Sequence, residues 1–502
     1  MSKYFLGIDQ GTTGTTALLI NEKWEVSARG YQEHRQIYPQ PGWVEHDPEE
    51  ILLGCISAVN KALAACPQCR LEDIVCLGLD NQGETCTIWE ADTGRPIYNA
   101  LVWQDRRTSA FCDELKASHG DYIRQTTGLV ADAYFSASKF RWILDHVEGA
   151  RERAARGKLM AGTLDSFLIY RLTGRKAWVT DASTAGRTML MDMRQGKWDD
   201  TMLELCGIPR TLLPEIQDCS CVYAYTDPEV FCGLHIPVAA SLADAHAALC
   251  AQGCLSPGDI KTTYGTGVFM NMNTGSQMIL SELGLTCSLP WQINGARTYA
   301  LGGSAYIAGA AVQWLQNGLG VISNPGETQT LAQSVDDTGG VYFVPAFSGL
   351  AAPWWDQYAR GTIIGITGGT TKAHLARAVL ESIAFQVCDN ALTMQKDAGA
   401  PLTVMKADGG PVDNDFLMQF QADLLGIPVE VPNEKETSAY GAAFLAALAL
   451  GEFSSVSDVK HCLKLKKRYL PRMSEDERLF RIDQWHRAVK RSLNWANLSD
   501  GQ

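Results

Sequence analysis

Two glycine–threonine turns stand about half the chain apart, one in DQGTTGTT from Asp9 and one in TTYGTGVFMNMNTG, residues 262–275. Glycine lets backbone amides come close to an anion, and threonine hydroxyls add donors. Facing one another, the turns at Gly11 and Gly265 could grip a polyphosphate from both sides, with Thr12 and Thr13 donating from the first and Thr266 from the second. Either turn alone is explained equally well by ordinary hairpin chemistry. Asp9 ends the apolar run before the first turn. A carboxylate there can hold Mg2+, usually through water, or can cap the turn. Asp244 follows the apolar run 236–242 in SLADAHAAL. It can take the proton of an attacking hydroxyl, or N-cap the helix AHAALCAQ. Phosphoryl transfer needs a phosphate cradle, a metal, a positioned acceptor and a base. These residues offer all but the acceptor site. His246 is one of nine histidines, none in an HxxxH cluster, and reads as a supporting residue.

The elements that must position these groups alternate between strand and helix. Residues 4–8 and 74–79 are short apolar runs, each ending in a polar turn. Between them Asp47 is a helix N-cap, Pro48 the first helical residue and Glu50 the partner of a capping box. Ile51, Leu52, Cys55, Ile56, Val59 and Leu63 then make one apolar face. In the second half, residues 341–347 read as a strand and Thr371 caps a long helix. Residues 404–407 form a strand leading into DGGPVDN, and the Ala-rich stretch 439–450 is a closely packed helix stopping at Gly451. The pattern predicts an α/β layer architecture with two related halves, 1–252 and 253–502, divided near the Gly/Pro cluster QGCLSPG.

Composition sets the outer limits. A chain of 502 residues exceeds what one core supports. A net charge of −13 argues against nucleic acid and anionic membrane surfaces. No uncharged apolar stretch approaches the ~18 residues of a membrane span. The N-terminus lacks the pattern of a signal peptide, and the 15 scattered cysteines read as reduced thiols of a cytoplasmic protein. Cys66 and Cys69 make one CxxC without a second ligand pair, which reads as structural thiols. There is no GxxxxGK[ST] and no GxGxxG, so P-loop and Rossmann readings lack their fingerprints.

Longer stretches carry a resemblance. YFSASKFRWILDH, residues 134–146, and GTIIGITGGTTKAHLARAVLE, residues 361–381, are similar to the two segments that define the FGGY carbohydrate kinases. PGWVEHDPEEI, VWQDRRT, VPAFSGLAAPWWDQYARG and FLMQFQADLLG resemble the branch of that family that phosphorylates glycerol. The resemblance implies an actin/hexokinase-type fold of two ribonuclease-H-like domains around a cleft. It implies ATP and Mg2+ in the cleft, a small polyol or sugar as acceptor, and a homodimer or homotetramer. By matching position it makes Asp244 the base and Asp9 the metal carboxylate. Gly309, Gln313 and Gly410 fall at nucleotide positions, and Glu84, Trp103, Tyr134 and Phe269 at polyol positions.

Four positions depart from the family pattern. Gly83 replaces an arginine that donates to substrate hydroxyls, and Ala245 replaces a glutamine beside the base. Thr16 replaces an arginine of the first turn, and Asp415 stands where an asparagine contacts nucleotide. Two altered acceptor positions leave open a four- or five-carbon polyol or a ketose as acceptor. Decay into a non-catalytic nucleotide sensor is the alternative of another class. The stretch TDPEVFCGLHIP lacks the glycine-rich, arginine-bearing loop of members inhibited by fructose 1,6-bisphosphate, which implies no such inhibition.

Overall fold

The structure, a computed structural model, describes residues 2–497. Two mixed sheets repeat one topology. In the first, the strands Tyr4–Gln10, Gly14–Asn21 and Val26–Glu33 form an antiparallel meander. Tyr4–Gln10 then pairs in parallel with Ile74–Asn81, which pairs in parallel with Pro237–Ala243. In the second, Asp259–Tyr264, Val268–Gly275 and Ala296–Ala305 pair antiparallel in the same spatial order. Asp259–Tyr264 pairs in parallel with Val404–Gly409, and that with Val429–Pro432. In the first half the first three strands are hairpin-linked; in the second the chain passes through an edge strand, Thr286–Ile293, before returning as Ala296–Ala305, and in both halves the fourth and fifth strands arrive by crossover. The two glycine–threonine turns therefore occupy equivalent places, each joining the first strand of its sheet to the second. They close with Gly11 N donating to Gly14 O at 3.0 Å and Gly265 N donating to Gly267 O at 2.8 Å.

The expected strands are present and run longer at their polar ends, because Asp9, Gln10, Asp80 and Asn81 stay in the ladder. The expected strand at 341–347 is shorter, Tyr342–Val344, since Pro345 has no amide hydrogen to continue it. The helix Pro48–Ala64 starts as expected, with Asp47 Oδ1 accepting from Glu49 N at 2.9 Å. Glu50 does not close a capping box. Its carboxylate instead takes the amide and the guanidinium of Arg35, at 3.1 and 2.8 Å.

The Ala-rich helix Thr437–Ala449 packs not on its own sheet but on the first one. The approach is close enough to exclude a side chain beneath it. A Cβ placed on Gly7 would lie 2.1 Å from Ala439 O, and one on Gly78 2.0 Å from Ala442 O. Gly441 brings the same helix onto the helix Asp244–Ala251, where a Cβ would lie 2.1 Å from Ala247 O. Tyr440 and Phe444 join Phe5, Leu18 and Cys76 in one core.

Candidate active site

Three parallel strands of the first sheet bring carboxylates to their C-terminal ends. Asp9 is in register with Asp80, and Asp80 with Leu242, two residues before Asp244. Asp244 is the first residue of the helix Asp244–Ala251, and Ala243, not Asp244, holds the N-cap position. Its carboxylate accepts from the Ala245 amide at 2.6 Å. Burial, then the nearby Glu84 charge, raise its pKa to about 6. Burial and Asp244 raise Asp9 to about 7. Asp80 is pushed up well above the carboxylate range by burial and by Asp9. Asp9 Oδ1 and both carboxylate oxygens of Asp80 are buried without a hydrogen-bond partner among the described residues.

A cavity of about 490 Å³ opens beside these strand ends, between the two halves. Thr12 of the first turn, Asp244, Glu84, Trp103 and Tyr134 line it from one side. Phe269, Lys261 and Thr263 line it from the other, the last two on the strand that leads into the second turn. Gly83 and Ala245, the two altered positions, also face it. The walls are tied together. Trp103 Nε1 donates to Thr12 Oγ1 at 3.0 Å, and the Trp103 and Tyr134 rings lie 5.4 Å apart. Lys139, fully buried, donates to the carbonyls of Ala133, Tyr134 and Phe135 at 2.6, 2.6 and 3.2 Å. That clamp fixes the backbone on which Tyr134 stands, and burial lowers the Lys139 pKa to about 8. His246 lines the same cavity, and burial depresses its pKa to about 3, so it stays neutral.

The nucleotide-side candidates gather elsewhere, at the C-terminal ends of the second sheet's parallel strands. Gly309 N donates to Gly265 O at 3.0 Å, and a Cβ on Gly309 would lie 2.6 Å from that carbonyl, so Gly309 lies on the second turn. Gln313 follows one helical turn later in Gly309–Gln313. Gly409, in register with Tyr264, has φ +96° and no room for a Cβ, and Gly410 follows it at the exposed rim. Thr266 is exposed on the second turn and Thr13 on the first. Asp415 stands apart from the cavity. Its carboxylate accepts from Lys467 Nζ and the Tyr469 hydroxyl, both at 2.6 Å, and those partners hold its pKa down. Thr16 is buried in the second strand of the first sheet, paired with Asp9.

Three residues of the site have no counterpart in the sequence reading. Asp80 ends an apolar run in the same way as Asp9, and that parallel was the available signal. Arg187 enters the cavity with its Nε donating to Glu84 Oε1 at 2.6 Å. Lys261 stands 3.4 Å from Asp408 with its side chain 7% exposed. No local pattern marks the last two.

Known proteins resemble the chain over nearly its whole length. A glycerol kinase 2 of Thermotoga maritima is 51% identical over 494 residues, covering 98% of this chain and 99% of that protein. A glycerol kinase of Geobacillus kaustophilus is 48% identical over the same shares. Among solved structures, Plasmodium falciparum glycerol kinase with ADP superposes with a TM-score of 0.93 at 33% identity, covering 98% of each chain. Residues 4–251 match the N-terminal domain of the FGGY family of carbohydrate kinases, and residues 260–450 match its C-terminal domain. With both domains matched and the same doubled topology underlying the cleft, the chain belongs to the FGGY family of carbohydrate kinases.

Proposed function

We propose that this protein transfers the γ-phosphoryl group of ATP to a terminal hydroxyl of a small polyol, with glycerol the first acceptor to test. One observation carries the reading: Asp244, a buried carboxylate with its pKa raised to about 6, shares a cavity with Thr12 of the first turn and with Glu84, Trp103 and Tyr134. Asp244 takes the acceptor proton as the acceptor oxygen bonds to the γ-phosphorus. The bond from that phosphorus to the β–γ bridging oxygen breaks, and ADP leaves. Thr12, Thr13 and Thr266 hold the phosphates between the halves. Gly309, Gln313 and Gly410 border the nucleotide, and Asp415 acts near it only through its contacts with Lys467 and Tyr469. Trp103 and Phe269 pack on the carbon chain, while Glu84 and Tyr134 bind hydroxyls. In this division residues 1–252 bear the acceptor and the base, and 253–502 the nucleotide.

Mg2+ fits the donors present. Asp9 and Asp80 offer hard, unpartnered oxygens. No group of three or more His, Cys, Asp or Glu side chains able to hold an ion occurs among the described residues. That suits an ion held by one or two carboxylates, with water and phosphate completing its shell. When bound, it supplies charge neutralisation of the phosphates. The resemblance extends the reading to a homodimer or homotetramer, and 15 free thiols suit a reducing cytoplasm.

The short side chain of Ala245 on the cavity wall favours a second reading, a four- or five-carbon polyol or a ketose as acceptor. Acceptor-dependent ADP release with glycerol, erythritol, threitol, ribitol, xylitol and the ketopentoses separates the two. Asp244→Asn is expected to lower kcat by roughly 10²–10⁴-fold. ATP consumption indifferent to every acceptor would sink both readings.

A further inference from the structure

The vacancy that a glycine at position 83 suggests is not open space. A Cβ built there would meet Ala243 Cβ at 3.1 Å, Arg187 Cγ at 3.3 Å and Arg187 Cβ at 3.7 Å. The alkyl stem of Arg187 therefore runs directly over Gly83. Its guanidinium is fixed by the bond from Nε to Glu84 Oε1, an ion pair with side chains only 14% and 8% exposed. The guanidinium carbon lies 5.8 Å from the Tyr134 ring centre and 5.2 Å from that of Phe135. The Tyr134 hydroxyl lies beside the guanidinium. Among the described residues, the two terminal amino groups of Arg187 donate to no carboxylate or carbonyl, and neither is sealed away from the cavity that Arg187 lines.

A buried guanidinium with its Nε bond satisfied, Tyr134 beside it and two amino groups bound to no carboxylate or carbonyl is preorganised. Those groups form a planar fork that suits two neighbouring oxygens. Only the acceptor region of the cavity is within reach, since the guanidinium is anchored through Nε to Glu84 and flanked by Tyr134. We propose that Arg187 is the acceptor-binding guanidinium of this enzyme, donating to two adjacent hydroxyl oxygens of the polyol, and that position 83 is glycine to leave it room. The inference rests on the polyol-kinase reading above. It assigns the chain an acceptor with a vicinal diol next to the reacting hydroxyl. The loss of an arginine at 83 then does not deprive the site of charged donors.

Steady-state kinetics with the best acceptor of the panel test this. Arg187→Ala is expected to raise the acceptor KM by about 10–100-fold, the effect of losing hydrogen bonds to a charged group. The KM for ATP should stay within about twofold. Adding Gly83→Arg to Arg187→Ala is expected to recover at least tenfold of the acceptor KM. The same Gly83→Arg change alone should weaken acceptor binding, because the Arg187 stem occupies its place. A purely structural Arg187 would not be rescued from position 83. If Arg187→Ala loses its thermal unfolding transition, Arg187→Lys serves, with an expected rise of about fivefold or more in acceptor KM and an intact transition. An unchanged acceptor KM in the folded variant, or no recovery with Gly83→Arg, overturns the role of Arg187 alone. A wild-type enzyme that no polyol activates overturns it together with the kinase reading.

Discussion

Asp244 changes its protonation inside the range where enzymes are assayed. Its pKa is raised from 3.8 to about 6, first by burial and then by Glu84, and only the ionised form can accept the acceptor proton. kcat/KM is therefore expected to fall about tenfold per pH unit below pH ~6 and to be flat just above it. A profile level down to pH 4.5 would remove Asp244 as the base. At this scale the sequence was informative where chemistry coincides with local pattern. Asp9 and Asp244 each follow an apolar run, and Thr12 and Thr266 sit in recognisable turns. Arg187 and Lys261 were invisible, because nothing in their neighbours' periodicity says that tertiary packing delivers them to the cavity. The surroundings of Gly83 were equally hidden, because the side chain packed over it, Arg187, comes from 104 positions along the chain.

At the scale of elements, the carboxylates at the cavity depend on strands that can lie flush against a helix. Gly78 is central to this. It sits in Ile74–Asn81, two residues before Asp80, and the backbone of the helix Thr437–Ala449 crosses directly over it. Gly78→Ala puts a methyl 2.0 Å from Ala442 O, so helix and sheet must separate. The expected cost is about 1–3 kcal/mol, read as a lowered midpoint in thermal or urea unfolding. An unchanged midpoint would mean that the contact is softer than its geometry indicates. Strand and helix identities were legible from hydrophobic runs and caps, as with Asp47 and Pro48. The doubling of the strand-turn-strand unit was visible in the two glycine–threonine turns. The destination of Glu50 was not, because Arg35 competes for it from a separate segment.

The molecule as a whole is less divisible than two sequence halves suggest. Ser220 Oγ donates to Leu445 O at 2.8 Å, and the Tyr440 hydroxyl to Trp24 O at 2.9 Å, so the late helix is stitched into the early sheet. Trp24 also packs within 5.7 Å of Phe5, Tyr440, Phe444 and Phe453. A fragment of residues 1–252 should accordingly lack the near-ultraviolet circular dichroism of packed aromatics and should aggregate. A soluble, cooperatively melting fragment would contradict this. That the chain has two halves was readable from length and from the repeated turns. That the second half supplies a layer to the first was not, since an alanine-rich helix buried on nearly every side carries no address for the surface it covers.

This borrowed layer has a cost during synthesis. The strands Tyr4–Gln10 and Ile74–Asn81 leave the ribosome long before residue 449 is made, with roughly 200 residues still to come after Pro237–Ala243 is complete. At 5–20 residues per second, that leaves a bare apolar sheet face waiting on the order of 10–40 s. The nascent chain is therefore a natural client for a chaperone that shields hydrophobic surface until translation is nearly finished.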